Sequence, residues 1–539
     1  MTKTLRHVGI VLLVLSCAAP ASAAPPQWEG TWIGGFMSRN EWVFMKVVIG
    51  GDDPKSMVGR ADLPVQGEYA LELERVAANG RGLKFELPAR AGNLLFEGGS
   101  TGDLIRGSVR QGFGRSVFEL MRALPVTETT FAAMHGHYGD EHGLPLLVYY
   151  GQNGPAFVDF STGRMGTLFR TGEDTYVAGP TLLAGYPVEL TLTFSHDAEG
   201  KVTSVKREVK GRAQRLQRYE PYRTEPVRFQ SASSNLGGWL LIPNTPGPHP
   251  AIVMIHGSGP ATRQALLPFA DVFARNGIAV LVHDKRGAGQ STGSFARATF
   301  DELADDALAG VALLKKHPEI DPDRIGLQGA SLGGWVAPLA ASRSTDVKFV
   351  IVEAAPATTP AEHERARVER QMRADDVSRE VIVQALAYMD QKFEVARTGE
   401  GWDDLAAVSA RAEAEGWASY VNVPSSFDSL RWNWEHVLSW DPRPVLERLT
   451  IPVLALYGEL DTIVSPEVHV KKLQDALTRH GNKDVTVKIL PRANHHFFSA
   501  STGGPAEVGR LAQFVPGYFE TRVAWVLDRT ETSASATPR

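Results

Sequence analysis

The chain has 539 residues, of which 43% are hydrophobic and 22% are charged, and its formal net charge is −5. This length exceeds that of one ordinary domain, and the composition is typical of proteins that bury a sizeable core. So small a net charge offers no electrostatic basis for binding nucleic acid or an anionic membrane surface. We therefore expect two or three domains and no nucleic-acid partner.

The N-terminus has the pattern of a secretory signal peptide. A positively charged start precedes an apolar run too short to span a bilayer, and Ala21-Ser22-Ala23 supplies small residues for cleavage. We predict a signal over residues 1–24, cleaved near its end, and an exported protein, periplasmic or extracellular. Cys17, the only cysteine, lies inside this signal, and a lipid anchor there is disfavoured because Leu15 is bulky for that motif. No later segment is apolar enough to predict a membrane-spanning helix.

Residues 25–222 contain short segments in which apolar and polar residues alternate, separated by Gly, Asn and Asp. Such segments predict antiparallel strands, so we expect an N-terminal β-rich region. A turn-rich stretch over residues 134–144 interrupts the pattern, and the region forms either one module or two with a break near residues 123–136. No internal sequence repeat is evident.

From residue 228 onward, apolar runs alternate with helical patterns, which predicts an α/β domain over residues 228–530 with a mostly parallel sheet and helices on both faces. Residues 360–440 interrupt this alternation with helical patterns alone, and we predict a helical insertion that acts as a lid. Its aromatic side chains either pack the insertion's own core or line an acyl pocket; these are Trp402, Trp417, Trp432, Trp434 and Trp440. Residues 531–539 are expected to form a disordered tail.

A motif between one buried strand and the following helix predicts a catalytic serine. Gly329-Ala330-Ser331-Leu332-Gly333 has the form Gly-x-Ser-x-Gly, in which small residues permit a sharp turn that exposes the serine hydroxyl. An alcohol is a weak nucleophile at neutral pH, so Ser331 needs a base, an orienting carboxylate and donors for the developing oxyanion.

The remaining parts of such a site follow in the chain order serine, acid, histidine. Asp461 follows a predicted strand and is the preferred acid, with Glu459 as its competitor. Two adjacent histidines follow the last predicted strand; we favour His495 as the base, and His496 is the alternative.

The oxyanion donors are expected to be backbone N–H groups. The residue after the nucleophile, Leu332, supplies one, and the glycine-rich loop at residues 256–260 supplies the other, from Ser258 or else from Gly257. His256 is interpreted as a structural residue of this loop.

The loop at residues 284–293 contains several glycines but lacks the spacing of a phosphate-binding loop. We interpret it as a loop that shapes the site. Asp284 and Arg286 are expected to hold it by hydrogen bonds.

Together these residues resemble the α/β-hydrolase superfamily, and more narrowly its bacterial branch of serine aminopeptidase-like hydrolases and esterases. The motifs that carry the resemblance are His256-Gly257-Ser258-Gly259-Pro260, Asp284-Lys285-Arg286-Gly287, Gly329-Ala330-Ser331-Leu332-Gly333-Gly334, Gly458-Glu459-Leu460-Asp461 and Asn494-His495-His496-Phe497. The resemblance implies Ser331 as nucleophile, Asp461 as acid and His495 as base, because in that family the base follows the Asn of an Asn-His-x-Phe pattern. It does not extend to the β-rich region, which lacks the blade repeat of a prolyl oligopeptidase propeller.

We expect a serine hydrolase that cleaves a small-molecule acyl ester through an acyl-enzyme, with no metal and no organic cofactor. A serine peptidase or amidase with the same residues is the first alternative, because the triad does not encode the leaving group. A substrate-binding or envelope-binding protein with residual hydrolase activity is the second.

Overall fold

The structure is a computed structural model, and it describes residues 28–51, 57–89, 92–140, 145–232, 234–434 and 437–530. The predicted signal peptide with Cys17, the predicted tail at 531–539 and the side chain of Trp432 lie outside the described residues. In the part of the chain that is described, no helix is long and apolar enough to cross a membrane.

The first sheet is an antiparallel meander whose last strand folds back onto its first. Its strands are β1 (Gly30–Ser38), β2 (Glu41–Gly50), β3 (Val58–Leu63), β4 (Glu68–Glu72), β5 (Glu74–Asn79), β6 (Gly82–Leu87), β7 (Leu94–Thr101), β8 (Leu104–Gln111) and β9 (Gly114–Ala123). Each strand pairs with its neighbour in the chain except across the β4–β5 link, and β9 returns to β1. The core of this sheet is rich in aromatic rings, among them Phe36, Phe85, Phe96 and Phe118.

A short helix, α1 (Glu128–Phe131), leads into the second sheet, whose strand order is the same. Its strands are β10 (Gly136–Gly139), β11 (Leu146–Gly151), β12 (Gly154–Asp159), β13 (Arg164–Thr167), β14 (Phe169–Arg170), β15 (Thr175–Ala178), β16 (Leu190–His196), β17 (Val202–Val209) and β18 (Arg212–Tyr219). Here β18 returns to β10, and the unpaired link is β13–β14. β10 lies inside the stretch that the sequence indicates as turn-rich.

Each of the two sheets has the same kind of side-chain contact at the place where its first strand pairs with its last strand. Arg122 lies over the ring of Trp32 at 4.3 Å, and Arg218 lies over the ring of Tyr138 at 6.0 Å. In the strand pairing, each arginine lies directly opposite its aromatic residue. The polar atom of each ring donates a hydrogen bond to the carbonyl four residues earlier, at 3.0 Å and 2.7 Å.

The two sheets are also equivalent at the link between the two consecutive strands that do not pair, β4–β5 in the first sheet and β13–β14 in the second. Leu73 joins β4 to β5, and its N–H donates to the Gly59 carbonyl at 2.8 Å. Leu168 joins β13 to β14, and its N–H donates to the Pro155 carbonyl at 2.9 Å. Both acceptors lie in the strand that precedes β4 or β13, so the chain folds the same plan twice.

The third sheet is mixed, with two antiparallel strands followed by parallel ones. Its strands are β19 (Tyr222–Ser231), β20 (Ser234–Pro243), β21 (His249–Ile255), β22 (Ala279–His283), β23 (Ile320–Ala330), β24 (Phe349–Glu353), β25 (Val453–Gly458) and β26 (Val485–Leu490). Their spatial order is β19-β20-β22-β21-β23-β24-β25-β26. The six strands β21 to β26 run parallel to one another. β21 through β25 are buried and strongly apolar because helices cover both faces.

The covering helices divide into two apolar layers. One layer contains α3 (Phe300–Leu314), α4 (Gly333–Ala341), α10 (Arg443–Glu447) and α11 (Pro466–Arg479), and the other contains α2 (Arg263–Ala274) and α12 (Tyr518–Thr530). Between β24 and β25 the chain forms a helical insertion of α5 (Pro360–Ala374), α6 (Arg379–Thr398), α7 (Trp402–Glu415), α8 (Ala418–Val421) and α9 (Phe427–Trp434). An N-terminal antiparallel β region followed by an α/β domain is therefore the observed architecture, as predicted.

The second sheet is joined directly to the third. His137 Nε2 lies 2.5 Å from Asp271 Oδ1 on α2, and the Tyr222 hydroxyl donates to the same oxygen at 3.0 Å. The first sheet packs on the second, where the Tyr186 hydroxyl donates to Glu119 at 3.1 Å. The first sheet therefore contacts the second, and the second contacts the α/β domain that contains the third.

Candidate active site

Ser331 occupies a strained turn between β23 and α4. Its φ is +54°, a left-handed conformation that costs about 1–3 kcal/mol for a residue with a side chain. The turn is so tight that a Cβ at Gly329 would lie 2.0 Å from the Gly333 carbonyl oxygen, and a Cβ at Gly333 would lie 2.7 Å from that of Ile255. The Ser331 N–H donates to the Glu353 carbonyl at 2.8 Å, which ties the turn to β24.

Asp461 and His495, predicted as acid and base, are hydrogen-bonded. His495 Nδ1 lies 2.9 Å from Asp461 Oδ2, while Asp461 Oδ1 accepts the backbone N–H groups of Ile463 and Val464, each at 2.8 Å. Burial alone would raise the pKa of Asp461, but His495 and these N–H donors outweigh it and hold that pKa below its ordinary value. The carboxylate is therefore ionised and fixed, with its second oxygen directed at the imidazole.

The neighbouring histidine has a different environment. Burial lowers the pKa of His496 to about 4, so its ring is neutral near pH 7. Asn494 shapes this loop, because its side-chain oxygen accepts the N–H groups of His496 and Phe498, each at 3.0 Å. The hydrogen bond to Asp461 belongs to His495, whereas His496 lies beside it with the ring centroids 5.1 Å apart.

The glycine-rich loop at residues 256–260 lies next to the serine. A Cβ built at Gly257 would be 3.5 Å from Ser331 Cβ, and Ser258 lines the same cavities as Ser331. His256 has the structural role that the sequence indicates: its Nε2 lies 2.6 Å from the His283 carbonyl, and burial lowers its pKa to about 3. Leu332 caps α4, so the expected oxyanion donors flank Ser331.

The loop at residues 284–293 is held by buried ion pairs. Asp284 accepts from the backbone N–H and the guanidinium of Arg263 at 2.8 and 2.9 Å. Arg286 donates twice to Asp306, at 2.8 Å each. Asp284 and Arg286 therefore act as the sequence predicts, through partners that lie on α2 and α3.

Lys285, between these two residues, is a feature that sequence reasoning missed. Its Nζ donates to the carbonyls of Gly257 and Gly259, at 2.7 Å for the latter, and lies 3.9 Å from the Phe295 ring centroid. Only 4% of the residue is exposed, and this burial lowers the pKa of Lys285 to about 7. The lysine clamps the loop that presents the expected oxyanion donor. Its position inside a family-like motif was the available signal.

Two cavities meet at Ser331. The first, here called the aromatic chamber, has a volume of about 150 Å³ and is lined mainly by apolar side chains, among them Phe295, Phe300, Leu303, Trp335, Trp434 and Val437. Trp434 thus lines a pocket, whereas Trp417 packs against Tyr388 inside the insertion and Trp440 packs on Phe300. Trp417 therefore packs the insertion's own core and Trp440 packs on the α/β domain, whereas the acyl-pocket role of Trp434 stays a prediction.

The second cavity, here called the polar chamber, has a volume of about 460 Å³ and contains His495. It is lined by polar groups of the insertion, Glu364, Arg367, Gln371 and Asn422, besides apolar residues of the α/β domain. His363 and Glu364 line both chambers and lie between them, at the start of α5. Burial lowers the pKa of His363 to about 4, so this second imidazole near Ser331 is neutral. Over the residues that the structure covers, no group of His, Cys, Asp and Glu side chains could hold a metal ion.

Comparison with known proteins places the α/β domain among hydrolases. The family model described as serine aminopeptidase, S33, matches residues 246–415. Esterase EstD of Thermotoga maritima is 26% identical over 325 residues, covering 58% of this chain and 70% of the esterase. Thiohydrolase aneE of Aspergillus aculeatus is 38% identical over 104 residues, and the match spans only 19% of this chain and 32% of that protein. Among solved structures, a Pyrococcus furiosus esterase shares 18% identity and a TM-score of 0.38, covering 58% of this chain and 94% of the esterase.

Proposed function

Because the chain belongs to the α/β-hydrolase superfamily, we propose that it is an exported serine hydrolase that cleaves carboxylic ester bonds through an acyl-enzyme. The observation that carries the proposal is that His495, hydrogen-bonded to the buried Asp461, lines the same cavity as Ser331. A serine hydroxyl becomes a nucleophile when such a base takes its proton. The relatives named as an esterase and a thiohydrolase support acyl transfer.

In the proposed reaction, His495 Nε2 takes the proton of Ser331 Oγ as this oxygen attacks the ester carbonyl carbon. Asp461 keeps the other proton on Nδ1 and stabilises the imidazolium. The imidazolium then gives its proton to the departing alkoxide, which leaves as the alcohol and produces the acyl-enzyme. Water repeats the sequence, releases the carboxylic acid and restores the serine.

The oxyanion of each tetrahedral intermediate would be bound by the backbone N–H of Leu332 and that of Ser258, with Gly257 as the alternative second donor. Each such donor is worth about 3 kcal/mol in the transition state. The Lys285 clamp on the carbonyls of Gly257 and Gly259 supports this assignment, since it fixes the loop without using its N–H groups.

An ester substrate is favoured over an aminoacyl one by the charge state of the polar chamber. An aminopeptidase must bind a substrate ammonium, for which an unpaired carboxylate is the best suited side chain. The two glutamates that line this chamber are already paired with arginines, Glu364 with Arg367 at 2.8 Å and Glu353 with Arg522 at 3.2 Å. A peptidase or amidase remains the second candidate because of the family match. Parallel assays on p-nitrophenyl esters and aminoacyl p-nitroanilides distinguish the two.

The test is the Ser331→Ala variant assayed on p-nitrophenyl butyrate. We expect turnover to fall by at least about 10⁴-fold and labelling by a fluorophosphonate probe to disappear, because no other group would attack the carbonyl. Ser342→Ala is the matched control, since its hydroxyl bonds to the Leu339 carbonyl at the far end of α4. Undiminished turnover in Ser331→Ala would refute the proposal. A wild-type protein that the probe does not label would instead favour a binding protein.

Export is proposed from the signal-like residues 1–24. The mature protein recovered from the periplasm or medium of a bacterial host should begin after Ala23 or Ala24. An intact N-terminus on a protein retained in the cytoplasm would refute this part of the proposal.

A further inference from the structure

The two chambers differ in which member of the proposed triad they contain. Ser331 lines both, but His495 lines only the polar chamber, and Leu332 lines only the aromatic chamber. During acylation the imidazolium must reach the leaving oxygen to protonate it, so the leaving group lies on the histidine side of the scissile bond. The acyl group then extends to the other side.

From this geometry we infer that the polar chamber binds the leaving alcohol and that its wall selects a neutral, hydroxyl-bearing alcohol. The inference rests on the proposed function and adds a substrate class to it. The aromatic chamber, walled by rings such as Phe300, Trp335 and Trp434, holds an apolar acyl group.

The wall of the polar chamber is charged but balanced. Burial would raise the pKa of Glu364, but Arg367 outweighs this effect and holds that pKa below its ordinary value. Arg367 donates to Glu364 at 2.8 and 3.0 Å, to Gln371 Oε1 at 2.6 Å and to the Tyr420 carbonyl at 3.0 Å. The guanidinium is thus engaged by protein acceptors, and an anionic leaving group would compete with Glu364 for it.

Two groups left for a ligand on the insertion side of the chamber suit a hydroxyl. Glu364 Oε1 has a distant contact to His363 Nε2, at 3.7 Å, and can accept a hydrogen bond. Gln371 lines the chamber and its carbonyl oxygen accepts from Arg367, while its amide NH₂ makes no hydrogen bond to the described residues and is available as a donor. A hydroxyl both donates and accepts, so it satisfies the two groups, whereas an alkyl chain leaves both buried and unpaired.

The test compares 2-hydroxyethyl butyrate with 2-methoxyethyl butyrate, which share an acyl group and differ in that a methyl group replaces the hydroxyl proton. The wild-type protein should hydrolyse the hydroxyethyl ester with a kcat/KM about tenfold higher, the value of one well-made hydrogen bond. In Gln371→Leu this ratio should fall toward one. Trp434→Leu is the matched control on the opposite wall, and it should leave the ratio unchanged.

Deacylation gives an independent readout, because the leaving group has gone by then. Burst kinetics with p-nitrophenyl butyrate should show the same deacylation rate in Gln371→Leu as in wild type, and an altered rate in Trp434→Leu. A wild-type ratio near one overturns the inference even if Gln371→Leu does not fold, and so does a slowed deacylation in Gln371→Leu. Loss of fluorophosphonate labelling in wild type would instead refute the proposed function, so the two failures are distinguishable.

Discussion

The α/β domain and the first sheet bury different kinds of side chain. In the described residues of the first sheet, the buried polar side chains are Glu86 and Ser100, and the core is a cluster of phenylalanines and aliphatic residues. In the α/β domain, charged side chains are buried near the serine turn, where Asp461, Lys285 and Glu353 are each at most 4% exposed. Others are buried elsewhere, such as Asp271 on α2 and Lys392 on α6. Buried charges are costly unless they are paired. The comparison teaches that the α/β domain bears most of this cost, part of it around the proposed site, whereas the described residues of the first sheet bury one charged side chain, Glu86, which pairs with Arg75.

The second sheet shows how the two kinds of region are connected. It shares the plan of the first, yet it makes a buried hydrogen bond between His137 and Asp271 on α2. Asp271 also contacts Arg275 at 3.2 Å and the Tyr222 hydroxyl at 3.0 Å. One buried polar side chain of the second sheet, His137, therefore lies where the sheet meets the α/β domain, whereas Asp159 is buried against Arg207 of β17 within the sheet.

Among the variants that test this contrast, we expect Asp461→Asn to have the largest effect. The amide cannot hold the imidazole in the required tautomer, so we expect kcat to fall by about 10⁴-fold while the fold is retained. Turnover of p-nitrophenyl butyrate and circular dichroism measure the two effects. Glu459→Gln is the matched control, because Glu459 accepts the backbone N–H of Arg492 at 2.8 Å and makes no hydrogen bond to His495. An Asp461→Asn variant within tenfold of wild type would contradict the assigned acid.

The next effect in size is that of Lys285→Met. Methionine keeps the apolar contact with Phe295 but removes the clamp on the carbonyls of Gly257 and Gly259. A displaced oxyanion donor costs about 10²–10³-fold in kcat, and we expect the loss to appear in kcat more than in KM. Steady-state kinetics on one ester separates the two constants. A change confined to the melting temperature would show that the lysine supports folding alone.

Lys285 also predicts a pH dependence of stability. Its pKa in the folded protein is about 7, lowered by burial from an ordinary value of 10.5, so between these values the unfolded chain binds the proton and the folded protein does not. The free energy of unfolding of wild type, relative to Lys285→Met, should therefore rise as the pH increases from 7 to 10. Urea denaturation at several pH values measures this difference. If the difference in the free energy of unfolding did not change with pH, Lys285 would be more exposed to water than the structure indicates.

The smallest effects are expected from the matched pair Arg122→Met and Arg218→Met, which compares the two sheets with each other. Each variant removes the contact between the first and last strands over the rings of Trp32 and Tyr138. We expect each to lower the free energy of unfolding by about 1–2 kcal/mol, with kcat/KM within twofold of wild type. Urea denaturation and ester hydrolysis provide the measurements. A loss in one variant alone would show that the two contacts are not energetically equivalent.

The α/β fold was predictable because its strands are continuous apolar runs and its helices have a clear 3.6-residue period. The Gly-x-Ser-x-Gly turn was predictable too, since the glycines at 329 and 333 fit a geometry in which no Cβ can be accommodated. Asp461 and His495 each follow a strand, and parallel strands bring their carboxyl ends to one edge. The hydrogen bond between them agrees with the predicted pairing, whereas their catalytic roles remain a prediction.

What the sequence did not indicate depends on tertiary packing. A lysine in a loop is usually a solvated charge, and only the packing of Phe295 and the loop at 256–260 buries Lys285. The repeated plan of the sheets was not visible in the sequence because equivalent positions have the same structural role but different amino acids. Trp32 and Tyr138 both offer a ring to an arginine and a donor to a preceding carbonyl, yet they are different residues.

The pairing of the first strand with the last has a consequence for how such a chain can change in evolution. Thr31 lies opposite Ala123 in one sheet and His137 lies opposite Tyr219 in the other, so the polypeptide leaves each sheet beside the point where it entered. A unit with adjoining ends can be copied in tandem or removed by a single genetic event, and the downstream chain keeps its path. The length of the N-terminal region is therefore open to variation among descendants of this gene.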